Sequence, residues 1–298
     1  MIPSTHSKFL ESSNLTRNQF LMWMGQQQSP ETPLYNMIFV YTIDGQIAPE
    51  TFRVAYQALV DRSDALRTVI EVIDGVPQQR VLDHMQYPME FFDLSATPDA
   101  ERHFRDWMEE RKVRRLDLAV CSFDSALIKM APERFKWYFN QHHILVDAWS
   151  TAIIYQKLAH FYGLAREQRL HEAPMLNPFQ TYVDYERKHR QTDAYRQART
   201  HWHNKLAESV DPVDFFGRKL SGTSYRLPRI DAPLGADRTR RLKELAQVEE
   251  LRLISQDLTL CTFLLTILFA YLHRISGAAR LRIGVPFHNR PSPAFKDT

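Results

Sequence analysis

Apolar residues in the first half of the chain alternate between two spacings. Spacing of three and four residues predicts helices, and a period of two predicts strands. The predicted helices cover residues 16–28, 49–63, 98–112 and 149–162. The predicted strands cover residues 35–43, 66–72, 77–82, 89–92, 125–130 and 135–139. Helices interspersed with single strands and hairpins, without a regular βαβ repeat, indicate an α+β sandwich.

The pattern breaks after Gly163, where a charged stretch precedes Pro174 and Pro178. We therefore expect a first lobe over residues 1–165, a linker over 166–178 and a second part over 179–298. The second part is predicted to hold a helix over 179–207, a loop over 209–236, a strand over 239–245, a helix over 248–256, an apolar core helix over 261–275 and a strand over 281–285.

Composition limits the classes of protein to consider. The 298 residues are 44% hydrophobic and 24% charged, which is typical of a globular chain with room for two domains. No uninterrupted apolar stretch reaches about eighteen residues and the N-terminus lacks the plan of a signal peptide, so we expect a cytoplasmic protein with no membrane partner. A net charge of +3 and the lack of a basic stripe with aromatics argue against nucleic acid. The two cysteines, Cys121 and Cys261, are expected to be reduced residues in or near the core.

Two adjacent histidines and an aspartate lie where a predicted strand gives way to a helix. If the strand continues in register, His143 falls on the apolar side that carries Phe135, Trp137 and Phe139. Asp147 then comes directly before the helix. The plainest interpretation is a hydrogen-bonded core histidine and an aspartate that only caps the helix. A metal site is another interpretation, disfavoured because no second His/Cys/Asp cluster and no known zinc spacing occurs.

The stretch over residues 140–150 resembles the HHxxxDGxS signature of condensation domains in non-ribosomal peptide synthetases, which belong to the chloramphenicol acetyltransferase-like superfamily. Four further stretches resemble other motifs of that family in the same order. They are residues 15–23 with 33–36 for the opening motif, 61–68 for RHxxLRTxF, 179–186 for YxDYAxW and 282–290 for IGxPxxxR. The resemblance runs from about residue 12 to the last residues.

Three departures from the family pattern qualify this resemblance. Ala148 stands where the signature has glycine, the histidine of the second motif is missing between Arg62 and Asp64, and no DFGWG motif follows Arg290. The resemblance therefore implies the N-terminal two thirds of a domain, whose activity in isolation is left open.

The resemblance implies a fold and a reaction. The fold would be two chloramphenicol acetyltransferase-like lobes, each a two-layer α/β sandwich, set in a V with the second lobe incomplete. The reaction would join a donor acyl thioester to the amine of an acceptor aminoacyl thioester, giving an amide. Both substrates would be carried on phosphopantetheine arms of carrier proteins, with no cofactor or metal bound by the domain itself.

The resemblance also implies partners. An acceptor carrier and further synthetase domains would lie downstream. Because the homologous region starts about a dozen residues after Met1, the donor carrier is expected in trans, as in a lipo-initiating or inter-subunit domain. Carrier proteins are generally acidic, so the basic stretch over 111–115 is either a docking site or a solvated helix end.

Site roles follow from the same resemblance. The expected catalytic set is His143, His142 and Asp147, supported by Arg290, Arg67, Ala148 and Ser150. His143 would act as base or positioner, and His142 would point away as a structural residue. Asp147 would pair with Arg290, with Arg67 as a second possible partner. Ala148 either narrows the substrate tunnel or marks altered chemistry, and Ser150 would cap or pack the helix start.

Three other functions share parts of this pattern. A related HxxxD acyltransferase would use a free alcohol, a free amine or a coenzyme A thioester. An epimerisation domain typically reads Ser-Trp where this chain has Ser150 and Thr151. A non-catalytic platform for recruiting a partner enzyme usually lacks the second histidine, which this chain keeps as His143.

Overall fold

The computed structural model of the protein describes residues 12–208 and 230–296. Its helices are α1 (Arg17–Gln28), α2 (Pro49–Arg62), α3 (Ala100–Lys112), α4 (Ala148–Arg166), α5 (Phe179–His189), α6 (Asp193–Ala207), α7 (Ala236–Leu245) and α8 (Gln256–Ser276). Its strands are β1 (Asn36–Asp44), β2 (Thr68–Ile73), β3 (Val76–Val81), β4 (Glu90–Asp93), β5 (Phe123–Ala131) and β6 (Arg134–His142). Short 3-10 turns occupy Ala65–Arg67, Leu170–Glu172 and Pro293–Phe295. This mixture of helix and sheet confirms the predicted α+β class.

A four-stranded sheet supports the histidine motif. Its strand order is β1-β6-β5-β4, with β6 antiparallel to both neighbours and β4 parallel to β5. Strands β2 and β3 form a separate hairpin, as the sequence predicts. The β1–β6 register places Asn36 opposite His142, so the motif lies at the C-terminal end of β6, which pairs with both β1 and β5.

Both faces of this sheet are covered by helices. Helices α2 and α4 pack on the face that carries Phe135, Trp137 and Phe139, and together they form the largest apolar cluster of the described residues. The opposite face is closed by α3, where the Trp107 and Tyr138 rings meet edge-on at 5.0 Å. Strand β6 is therefore buried on both sides, and only its ends can reach a substrate.

The chain forms two compact units. One contains residues 12–196 and 288–296 of the described chain, and the other lies within residues 197–287. The predicted linker over 166–178 lies in the first unit, where the Arg62 side chain donates to the carbonyls of Leu170 and Ala173. The division into lobes at that linker stays a prediction.

Several predicted elements of the second part are wrong. The predicted strand over 239–245 belongs to α7, where good helix formers and the Arg240–Glu244 pair at i and i+4 favour a helix. Residues 248–255 of the predicted helix over 248–256, and the predicted strand over 281–285, form neither helix nor strand. The predicted long helix breaks into α5 and α6, because Thr192 accepts a hydrogen bond from the Tyr195 amide and starts a new helix. Most of the predicted loop over 209–236 lies outside the described residues.

Helix α8 is not the core helix that its sequence predicts. All residues of α8 lie in the described part of the chain, and of these only Thr259 is buried, whereas Leu264 is 58% exposed. Cys261 is exposed as well, so its expected core position is wrong, whereas Cys121 is partly buried. By length and composition, α8 is one helix among the described residues that is apolar enough to cross a membrane. The apolar sequence of α8 predicts burial of the helix, and it does not identify the residues that would bury it.

Candidate active site

The backbone at the end of β6 is held from both sides. The His142 amide donates to the carbonyl of Ser122 at 2.8 Å, and the His143 amide donates to the carbonyl of Tyr35 at 2.8 Å. Strand β6 ends at His142, and a turn closed by the Leu145 amide and the His142 carbonyl follows. The expectation that His143 continues the apolar face of the strand is therefore wrong, because the turn sets its direction.

His142 is a buried, neutral imidazole. The residue is 2% exposed, and its Nδ1 accepts a hydrogen bond from the Ile144 amide at 3.2 Å. Burial, with a smaller contribution from the neighbouring His143, lowers the pKa of His142 to about 4. At neutral pH it carries no charge, and its accepted hydrogen bond stabilises the turn.

His143 has one nitrogen fixed and one available. Its Nδ1 lies 2.7 Å from the Val146 carbonyl oxygen, inside the same turn. A carbonyl can only accept, so Nδ1 must carry the hydrogen, and in the neutral ring Nε2 is then the unprotonated nitrogen. An imidazole with Nδ1–H fixed by an acceptor and Nε2 unprotonated has the tautomer that a general base needs.

Asp147 is both a helix cap and half of an ion pair. Its Oδ1 accepts hydrogen bonds from the amide of Ser150 at 2.8 Å and from the Ser150 hydroxyl at 2.7 Å, which caps α4. Arg290 donates from Nη1 to Oδ2 at 2.6 Å and from Nη2 to Oδ1 at 3.1 Å, with a further bond from Nη2 to the Ser150 Oγ at 2.9 Å. Asp147 therefore both caps α4 and forms the expected ion pair with Arg290.

The charge state of Asp147 follows from these partners. Burial alone would raise the pKa of Asp147, and the hydrogen bonds from Arg290 and Ser150 outweigh it, so the pKa lies below its usual value. Asp147 is ionised at neutral pH with both oxygens engaged. It is therefore a poor candidate for a base, and its place in the site is structural.

The segment that carries Arg290 is anchored next to α4. The Trp149 indole donates from Nε1 to the Lys296 carbonyl at 2.8 Å, and its ring lies 5.5 Å from that of His288. Asn289 donates to the Tyr182 hydroxyl at 2.8 Å. These contacts hold the segment on both sides of Arg290, whose side chain is 9% exposed.

Two predicted supporting residues lie elsewhere. Arg67 donates to the backbone carbonyls of Leu82 and Asp83, so its predicted role as a partner of Asp147 is wrong. Ala148 is the first residue of α4 and is exposed in the described structure, and its effect on a substrate tunnel stays a prediction. Sequence reasoning missed the carbonyls of Val146 and Tyr35, because every residue carries a carbonyl and no side-chain pattern marks the ones that are used.

No group of three or more His, Cys, Asp and Glu side chains that could hold a metal occurs within residues 12–208 and 230–296. The residues at the end of β6 instead offer one free imidazole nitrogen beside a fixed ion pair. This set suits proton transfer or the positioning of a nucleophile more than metal chemistry.

Known proteins and one protein family resemble this chain. The family model described as "Condensation domain" matches residues 11–298. The isonitrile lipopeptide synthase of Streptomyces coeruleorubidus is 27% identical over 274 residues, which cover 90% of this chain and 18% of that protein. The dimodular nonribosomal peptide synthase of Bacillus subtilis (strain 168) is 25% identical over 279 residues, which cover 93% of this chain and 11% of that protein. The chain thus spans less than a fifth of the length of these two curated relatives.

Solved structures share the fold. The first condensation domain of the calcium-dependent antibiotic synthetase, in complex with a substrate analogue, gives a TM-score of 0.76 at 23% identity and covers 91% of this chain and 65% of that one. The starter condensation domain of rhizomide synthetase, as a mutant in complex with C8-CoA, gives a TM-score of 0.72 at 22% identity and covers 91% of this chain and 62% of that one. The family match over nearly the whole chain leads to one conclusion: the chain belongs to the condensation domain family of non-ribosomal peptide synthetases.

Proposed function

We propose that this chain provides the active site for amide formation between a donor acyl thioester and the amine of an acceptor aminoacyl thioester, both bound to carrier proteins through phosphopantetheine. The observation that carries the proposal is the fixed tautomer of His143. Its Nδ1–H is held by the Val146 carbonyl, which leaves Nε2 to face a reacting amine.

The chemistry required of the protein is modest, because a thioester is already an activated acyl group. The neutral amine attacks the thioester carbon, a C–N bond forms, and the amine loses a proton as the tetrahedral intermediate develops. Nε2 of His143 accepts that proton and returns it to the departing thiolate as the C–S bond breaks, so charge and atoms balance. A positioned base of this kind contributes about 10²- to 10⁴-fold, and orientation of the amine contributes further.

Asp147 and Arg290 support this step without touching the substrates. Their double hydrogen bond and the cap on Ser150 fix the first turn of α4 directly after the histidine turn. A shift of that turn would move the Val146 carbonyl and with it the His143 ring. We therefore assign Asp147 and Arg290 positioning roles.

Intact-protein mass spectrometry tests the proposal. An acyl-loaded donor carrier, supplied as a separate protein, is mixed with an aminoacyl-loaded acceptor carrier and the chain. Transfer of the acyl mass to the acceptor should occur with the wild type and fall at least 100-fold with His143→Gln. His171→Gln changes an exposed histidine far along the sequence and serves as the matched control.

A second arm addresses the length of the chain, which spans about 60% of the solved condensation domains named above. It repeats the assay with any residues that follow Thr298 in the native gene product. Carrier binding without transfer in both arms, over several acyl donors, would refute the proposal and favour the recruitment platform.

A coenzyme A thioester is a second candidate donor. The rhizomide synthetase starter domain was solved in complex with C8-CoA, and coenzyme A and a carrier present the same thioester on the same pantetheine arm. The assay distinguishes the two sources directly. Replacing the loaded donor carrier by C8-CoA should give acyl transfer at a comparable rate only if a free donor is accepted.

A further inference from the structure

Gly25 in α1 makes room for the hydroxyl of Tyr35. A Cβ built on Gly25 would lie 2.0 Å from the Tyr35 Oη, 3.0 Å from its Cζ and 3.3 Å from its Cε2. Glycine within a helix lowers stability relative to alanine, so a helical glycine calls for a packing reason. Close approach of the tyrosine supplies that reason here.

Tyr35 contacts both histidines of the motif. Its carbonyl accepts the hydrogen bond of the His143 amide at 2.8 Å, one step beyond the pairing of Asn36 with His142. Its ring lies 5.8 Å from the His142 imidazole, at an angle of 46°. Tyr35 therefore holds the backbone of one histidine and packs against the ring of the other.

We infer that Gly25 and Tyr35 are positioning residues of the active site, acting through His142 and His143. The bare backbone of α1 at Gly25 sets the position of the Tyr35 ring. The ring then backs His142, and the Tyr35 carbonyl fixes where β6 ends and the His143 turn begins. The catalytic part of this inference rests on the proposed function, whereas the geometric part is independent of it.

The size of the effect follows from the contact distance. A methyl group at position 25 requires the Tyr35 Oη to move from 2.0 Å to at least 3.0 Å, a displacement of about 1 Å. Because a misplacement of about 1 Å at a reacting group can cost about 100-fold in rate, Gly25→Ala should lower kcat for transfer by roughly 10- to 100-fold. KM for the acceptor should change little, since neither residue is placed against the substrates.

Gly163→Ala is the matched control. Gly163 also lies inside a helix, and a Cβ built there meets nothing within 4 Å. Both substitutions replace a helical glycine by alanine, and only one meets the tyrosine. Gly163→Ala should keep the wild-type kcat and raise the melting temperature slightly.

A double variant isolates the contact. Tyr35→Phe removes the oxygen that meets the new methyl, while the ring carbon at 3.0 Å needs to yield only a few tenths of an ångström. Gly25→Ala with Tyr35→Phe should therefore recover at least half of the lost activity on a logarithmic scale. A merely structural role for Gly25 would lower the melting temperature of Gly25→Ala and leave kcat of the folded protein at the wild-type value.

A spectroscopic readout makes the test independent of transfer. Histidine imidazole signals of labelled protein, assigned with His142→Gln and His143→Gln, should shift in Gly25→Ala and remain in place in Gly163→Ala. Unshifted signals, or a Gly25→Ala variant with wild-type kcat, would overturn the inference. If the wild type itself transfers nothing, the proposed function fails, and the signals still decide whether Gly25 and Tyr35 position the histidines.

Discussion

Removing the carboxylate of Asp147 should lower both the stability of the protein and its rate of acyl transfer. Asp147→Ala removes a helix cap, worth about 1 kcal/mol, and an ion pair. Breaking a fully buried pair costs about 3–5 kcal/mol, whereas an exposed pair is worth about 0–1 kcal/mol. This pair lies between the two limits, because the Arg290 side chain is 9% exposed and the Asp147 side chain is 33% exposed.

We therefore expect Asp147→Ala to lower the free energy of unfolding by about 3 kcal/mol, of which about 2 come from the pair and about 1 from the cap. Asp147→Asn keeps a good capping side chain and should cost only about 2 kcal/mol. Arg290→Gln should cost a similar amount. The double variant Asp147→Asn with Arg290→Gln should fall short of additivity by about 1–2 kcal/mol.

Urea unfolding followed by fluorescence measures these differences. The matched control is Asp44→Asn, which breaks the exposed pair of Asp44 with Arg134 and should leave the free energy of unfolding nearly unchanged. Because the folded pKa of Asp147 lies below its unfolded value, its contribution is present above about pH 4 and is lost as pH falls through the folded pKa. An Asp147→Ala variant that unfolds like wild type, or an Asp147→Asn cost no larger than that of Asp44→Asn, would refute this reasoning.

Three further predictions follow from burial. The pKa of His142 is about 4 in the folded protein and about 6.5 in the unfolded chain, so between these pH values the unfolded chain binds a proton that the folded protein does not. The free energy of unfolding should therefore fall by roughly 2–3 kcal/mol from pH 6.5 to 4.5. In urea unfolding, His142→Gln should flatten this pH dependence, and an unchanged slope would contradict the prediction. Leu264→Gln on the exposed face of α8 should change the free energy of unfolding by less than about 0.5 kcal/mol, whereas Leu158→Ala in the core should lower it by about 2–5 kcal/mol. Equal losses for the two variants would show that this face of α8 is buried. Burial raises the pKa of the Cys121 thiol to about 11, so a maleimide should label the exposed Cys261 first. Labelling rates of the Cys121→Ser and Cys261→Ser variants measure this difference, and faster labelling of Cys121 would be inconsistent with the structure.

Sequence alone determined the class of fold and the place of the site. Local periods of two and of three to four placed the elements of the first part within a few residues of their observed bounds, because the elements alternate between apolar and polar faces or, as in β6, carry aromatics on one face. In the second part the same method failed for residues 239–245, where the side chains are mostly charged and no buried face guides the choice between helix and strand. Helix α8 shows the related limit, since its apolar sequence predicts burial that the described structure does not provide.

Only the tertiary structure shows which partners fix the side chains of the site. The motif supplies His143 and Asp147, but the tautomer of His143 depends on the Val146 carbonyl, and the turn that carries it is held by the Tyr35 carbonyl. Arg290 reaches Asp147 across 143 positions of sequence, while Arg67, the second possible partner, donates to carbonyls elsewhere. Sequence records which side chains are present, whereas backbone acceptors and long-range partners are chosen only when the chain folds, because every residue carries a carbonyl and any of several cations can satisfy a carboxylate.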